Sequence, residues 1–182
     1  MIKTGIFGGS FNPIHNGHIS LARQLKEKAG LDEVWLMVSP QNPLKQNEDL
    51  LDDEKRLEMV RLALEGEEGL IASDYEMHLP KPSYTWNTLQ ALSKDYPERE
   101  FVLLIGGDNW ALFDKWYHAE DIKQNYRIVV YPRKGAEEGI EGVRLIDISS
   151  TDIRQRIKEG RGIRRLVPKA VADYIRKEGL YE

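Results

Sequence analysis

Apolar residues along this chain alternate between short continuous runs and stripes at helical spacing. Ile2 to Phe7 reads as a short strand interrupted by Gly5. Gly17 to Ala29 reads as a helix, with Ile19, Ala22, Leu25 and Ala29 on one face and Gly30 as its stop. Val34 to Val38 is apolar throughout, as expected of a strand covered on both faces. Asp52 to Glu65 predicts a second helix, capped by Asp52 and Asp53 and striped by Leu57, Val60, Ala63 and Leu64. Leu70 to Tyr75 is a candidate third strand. A helix follows with Thr85 as its expected cap and Leu89 and Leu92 inward. Phe101 to Ile105 is the clearest strand, Arg127 to Tyr131 another, and Val143 to Ile148 a further candidate. Ser150 to Glu159 and Pro168 to Glu178 read as C-terminal helices.

Strands separated by helices imply parallel pairing with right-handed crossovers, hence an α/β fold with a doubly wound parallel sheet. The 182 residues fit a single domain over 1–182. Such sheets bind ligands where the strand order reverses, outside the carboxyl ends of the strands. Two strands end alike, in Phe7-Gly8-Gly9 and Ile105-Gly106-Gly107. Paired glycines admit positive φ and close approach of a ligand to the backbone. If these strands are neighbours at the reversal, both turns border one crevice.

Composition narrows the function classes. Hydrophobic and charged fractions of 41% and 31% are ordinary for a soluble protein. The apolar runs are far too short to cross a bilayer, and no basic-then-apolar leader opens the chain. Without cysteine, thiolate catalysis and thiolate metal sites are excluded, and a reducing cytoplasm is the expected setting. A net charge of −4 argues against a nucleic-acid binder and leaves room for a small anion met by local cations.

The candidate chemistry lies at the start, in "GIFGGSFNPIHNGH". A Gly-rich turn entering a helix presents free backbone N–H groups and the positive end of the helix dipole, which suits an anion. The same glycines also serve a plain strand–helix turn. Two of the chain's four histidines, His15 and His18, stand in this turn and can donate to phosphate oxygens.

"GGSFNPIHNGH" resembles the His-x-Gly-His signature of the nucleotidylyltransferase superfamily, and "ISSTDIR" resembles its second signature. Class I aminoacyl-tRNA synthetases carry a related turn, but this chain is too short for one and lacks their lysine-rich loop. "KPSYTWNTL", "IGGDNWALFDKW", "YPRKG" and "VPKAVADYIRKEGLY" extend the resemblance to bacterial nicotinate-nucleotide adenylyltransferases over the whole chain. Asn12 stands where that family usually has Asp, Leu44 where a histidine is common, and Lys81 where Arg is usual.

The resemblance implies a Rossmann-like fold and the reaction of ATP with nicotinate mononucleotide to give deamido-NAD and pyrophosphate. It places His15, His18 and Arg154 in catalysis. Gly8, Gly9, Ser10, Phe11, Gly106, Asp108, Ser149, Ser150 and Thr151 would bind ATP. Lys45, Tyr84, Thr85, Trp116, Tyr117 and Arg133 would bind the mononucleotide. The nucleophile is a phosphate oxygen already anionic at neutral pH, so donors and cations are needed rather than a triad. Magnesium would travel with ATP on few protein ligands, with no resident metal site and no tightly bound organic cofactor. Partners would be the two substrates, without nucleic acid or membrane, and homo-oligomerisation is compatible with this. Pantetheine-phosphate adenylyltransferase shares both signatures but not the aromatic cluster after the fourth strand or the Ser83-Tyr84-Thr85 segment. A non-catalytic nucleotide sensor on the same fold is the other alternative. The polar Pro40 to Leu51 stretch is long enough for a flap over the acceptor.

Overall fold

The computed structural model describes residues 1–41 and 49–182. Five strands form one parallel sheet in the order β3-β2-β1-β4-β5. They are β1 (Ile2–Gly9), β2 (Glu33–Val38), β3 (Leu70–Ser73), β4 (Arg99–Gly106) and β5 (Arg127–Tyr131). β1 and β4 are neighbours, with Ile2 opposite Arg99 and Phe7 opposite Leu104. The order therefore reverses between them, and the two Gly-Gly turns end adjacent strands.

Strand residues alternate between two cores. Phe7, Val34, Leu36, Val38, Val102 and Leu104 face one layer. That layer holds α1 (Asn16–Lys28), α2 (Asp53–Ala63), α6 (Ser150–Lys158) and α7 (Lys169–Glu178). Ile6, Trp35, Met37, Phe101, Leu103 and Ile105 face the other, under α3 (Thr85–Asp95) and α5 (Ala119–Asn125). A short α4 (Gly107–Trp110) follows β4. Burial on both faces explains the unbroken apolar runs of β2 and β4. Each fully buried side chain there contributes about 1.5–3 kcal/mol, so Leu36→Ala removes transfer energy and leaves a cavity.

Three expectations are corrected. Val143 to Ile148 forms no strand: Arg144 donates its N–H to Gln24 Oε1 (2.7 Å) and accepts from Gln24 Nε2 (2.8 Å). A helix side chain has taken the backbone groups that a sheet would need. Thr85 does not cap α3; it is the first residue of the helix, and Tyr84 occupies the cap position. The third strand stops at Ser73, because Tyr75–His78 turns into a short 3₁₀ segment. Asp52 caps α2 as expected, accepting from Lys55 N, whereas Asp53 is held by Arg56.

Candidate active site

β1 delivers its turn to the reversal point, and the local packing explains the turn's glycines. A side chain on Gly8 would meet nothing within 4 Å, so this position faces open space. One on Gly9 would strike the Phe11 ring at 3.2 Å. Neither Gly8 nor Gly9 has positive φ; that conformation falls on Phe11 (φ 47°). It turns the Phe11 ring inward against Phe7 and edge-on to His18, at 5.8 and 5.1 Å between centroids. The paired glycines thus serve close approach rather than backbone freedom.

His15 and His18 cap α1 reciprocally. His15 Nδ1 accepts from the N–H of Gly17 at 3.0 Å, and His18 Nδ1 accepts from the N–H of His15 at 3.1 Å. A side chain on Gly17 would hit the His15 ring at 2.8 Å, which is why the residue between the histidines' cap bonds is glycine. The two rings stack at 3.7 Å. With both Nδ1 atoms accepting, each neutral ring carries its proton on Nε2. Burial, then the Arg133 charge, lowers the His15 pKa to about 4. Burial, then His15 and Arg133, holds His18 well below its usual value. At neutral pH the pair is uncharged and offers two N–H donors.

The second signature closes on this turn from across the chain. Ser149 caps α6 by accepting from Asp152 N at 2.9 Å. The Ser150 hydroxyl donates to the Pro13 carbonyl at 2.9 Å. Arg154 donates from Nη1 to the Asn12 carbonyl at 2.8 Å, and its Nη2 lies 3.3 Å from Thr151 Oγ1. Guanidinium has five N–H donors, so N–H groups beyond these two bonds are left for an anion. On the β4 side Asp108 sits in the first turn of α4, half exposed, with Arg133 Nε 3.8 Å from its Oδ1.

Between the two turns opens a cavity of about 360 Å³, within the usual range for small-molecule sites. Gly8, Gly9, Gly106, Thr85 and Trp116 line it, together with Met37, Glu76, Lys81, Ser83 and Thr88. Trp116 packs on the buried Phe113 ring at 5.0 Å while facing the cavity, so core and platform are combined. The Tyr84 and Tyr117 side chains are not in its lining; they are exposed and pair with each other at 4.8 Å. Lys45 and Leu44, and with them the 42–48 part of the Pro40 to Leu51 stretch, lie outside the described residues.

Arg56 escaped the sequence reading, and Asn12 stood there only as a departure from the family pattern. Arg56 is fully buried; it donates to the carbonyls of Ser10 and Ser39 and of Leu51, each at 2.8 Å, and pairs with Asp53 at 2.5 Å. It joins the ends of β1 and β2 to α2. Asn12 donates through Nδ2 to the Asp49 carbonyl (2.8 Å), while its Oδ1 accepts from Leu51 N (3.3 Å) and Tyr181 Oη (2.6 Å). A carboxylate could not make the first of these bonds, which accounts for asparagine at this position.

Comparison with known proteins agrees with this geometry. Residues 6–156 match the family described as cytidylyltransferase-like. A Bacteroides thetaiotaomicron protein named "Probable nicotinate-nucleotide adenylyltransferase" is 51% identical over 97% of this chain and 92% of its own length. A Flavobacterium johnsoniae protein of the same name is 43% identical over the full length of both. The solved Plasmodium falciparum nicotinic acid mononucleotide adenylyltransferase complexed with NaAD shares the fold, with a TM-score of 0.79 at 19% identity over 100% of this chain and 98% of that one. With the second signature hydrogen-bonded to the histidine turn that follows β1, and with relatives this similar over the whole chain, this chain belongs to the nicotinate-nucleotide adenylyltransferase family.

Proposed function

We propose that this chain transfers the adenylyl group of ATP to nicotinate mononucleotide, giving deamido-NAD and pyrophosphate. The observation that carries the reading is the stacked, neutral His15–His18 pair. It sits at the N-terminus of α1, in the turn that begins with Gly8 and Gly9, and those glycines line a cavity shared with Trp116 and Thr85. The acceptor's phosphate oxygen attacks the α-phosphorus of ATP, the bond to the β-phosphate oxygen breaks, and its electrons leave on pyrophosphate. No proton must be removed from the nucleophile, so the protein's work is alignment and charge stabilisation. The two Nε2–H groups meet the growing charge on the leaving group without bringing charge of their own. Arg154 and Arg133 supply the positive charge, and Asp108 stands on the adenosine side with Gly106. Ser10 and Thr151 extend the polar rim of the phosphate side.

Magnesium entering with ATP suits this donor set. Among the described residues no cluster of three His, Asp or Glu side chains could hold an ion alone, so phosphate oxygens and water would be its main ligands. It would neutralise phosphate charge. No helix among the described residues is long and apolar enough to cross a membrane. The reading is tested by pyrophosphate release with ATP and a panel of acceptors: nicotinate mononucleotide, nicotinamide mononucleotide and phosphopantetheine. Preference for the first supports it. Preference for phosphopantetheine, or nucleotide binding without turnover of any acceptor, would replace it.

A further inference from the structure

Asn12 stands where four parts of the chain meet. Its main-chain carbonyl accepts from Arg154 Nη1 at 2.8 Å, and its Oδ1 accepts from the buried Tyr181 hydroxyl at 2.6 Å. Its Nδ2 donates to the Asp49 carbonyl, and Oδ1 also accepts from Leu51 N. Among the described residues Arg154 makes two hydrogen bonds: the one to this carbonyl, and one from Nη2 to Thr151 Oγ1 at 3.3 Å. Thr151 lies one turn earlier on the same helix, so the Asn12 carbonyl is what orients the guanidinium from another element. Tyr181 is itself held against its preference. Its φ of 66° is left-handed, which a bulky side chain rarely adopts, and its ring is buried in the core around α7. Such strain persists only where the surroundings over-determine it. Burial raises the Tyr181 pKa, while the nearby Arg154 and Arg56 charges pull it down; the net rise keeps the hydroxyl a donor at any working pH.

We propose that Tyr181 is a positioning residue for phosphate binding: through Asn12 it fixes the direction of the Arg154 guanidinium. This rests on the reading of Arg154 as a cation of the phosphate side. Tyr181 clamps Asn12 at its side-chain end while Arg154 draws on its carbonyl. Without the hydroxyl, Oδ1 keeps only the longer bond from Leu51 N, at 3.3 Å. Asn12 is then freer to rotate, and its carbonyl carries Arg154 Nη1 with it. A guanidinium presents its N–H donors in a fixed fork, so a change of direction loses contacts to an anion even though the charge stays near. The Tyr181 hydroxyl is buried and committed to Asn12, so it acts through Arg154 and does not touch the substrate.

The test is a double-mutant cycle of Tyr181→Phe and Arg154→Ala, assayed at one temperature well below the wild-type melting temperature. Phenylalanine keeps the buried ring and removes only the hydroxyl. Tyr181→Phe should lower kcat with ATP and nicotinate mononucleotide about three- to tenfold, the range of one net hydrogen bond. KM for nicotinate mononucleotide should stay within about twofold of wild type, since the acceptor's own contacts are untouched. In the Arg154→Ala background the same change should alter kcat by less than about 1.5-fold, because no guanidinium is left to direct. The Kd of inorganic pyrophosphate should follow the same pattern. A hydroxyl that only holds the fold would lower the melting temperature in both backgrounds and give losses in kcat and Kd that multiply. Multiplying losses, an unaffected kcat and Kd, or a Tyr181→Phe protein unfolded at the assay temperature would overturn the assignment. If wild type releases no pyrophosphate with nicotinate mononucleotide, the functional reading falls, and the cycle on pyrophosphate binding still decides the role of Tyr181. If wild type turns over and the losses multiply, the role of Tyr181 falls alone.

Discussion

Two imidazoles stacked at 3.7 Å cannot both carry charge cheaply, and their Nδ1 bonds to backbone N–H groups exist only for unprotonated rings. The sign of the pH dependence follows. His15 is neutral in the fold down to about pH 4, below its unfolded value of 6.5. As pH falls through 6.5 the unfolded chain takes up the proton first. Stability is therefore full above the unfolded pKa, drops across the window, and levels off below the folded pKa. His15 alone contributes about 3 kcal/mol to that drop. His15→Asn keeps a side-chain acceptor at the cap and removes the titration. Denaturation of the empty protein between pH 4 and 7 should show a shallower slope for this variant, and identical slopes would refute the assignment.

At the scale of elements, Arg56 decides how the end of β1 meets α2. Its guanidinium holds three carbonyls and the Asp53 carboxylate in a fully buried place. Arg56→Met leaves these groups unpaired, a loss of about 3–5 kcal/mol. A thermal melt should show a drop of roughly 10 °C; a change under about 2 °C would mean the carbonyls find other donors. The Ser150→Ala change is milder. It frees the Pro13 carbonyl that ties α6 to the histidine turn, so kcat should fall severalfold in a steady-state assay while stability drops by about 1 kcal/mol. An unchanged kcat would separate α6 from the chemistry.

Legibility in the sequence differed by element for physical reasons. The apolar runs and helical stripes placed all five strands, because a doubly covered parallel strand must be apolar on both faces. The Val143 to Ile148 run was misleading because sheet formation depends on backbone partners, and Gln24 supplied them instead. Arg56 stood one helical turn before Val60, on the inward face, where an arginine among apolar positions was a readable sign of a buried polar junction. That the Ser83 hydroxyl has no partner among the described residues was not readable, since a missing partner is a property of three dimensions.

The whole molecule matters because one reversal of strand order brings residues from both ends of the chain to one crevice. The histidine turn meets α6 through the carbonyls of Asn12 and Pro13, which accept from Arg154 and Ser150, and Tyr181 reaches back to Asn12. Trp116 lies in the cavity wall, and under the proposed function it is a platform for the acceptor ring. Trp116→Ala should raise KM for nicotinate mononucleotide about tenfold through lost stacking, with ATP binding within about twofold of wild type. Equal loss for both substrates would make it a core residue alone.

Under the proposed function the neutral imidazoles stabilise the leaving pyrophosphate in addition to capping α1. Steady-state kinetics of His18→Ala, read beside a thermal melt, tests it most directly. Losing one preorganised donor should lower kcat about 10²–10³-fold with a much smaller change in KM for ATP. Loss of half the capping box should cost about 1 kcal/mol and a few degrees. A variant that unfolds, or that turns over at the wild-type rate, would contradict the account.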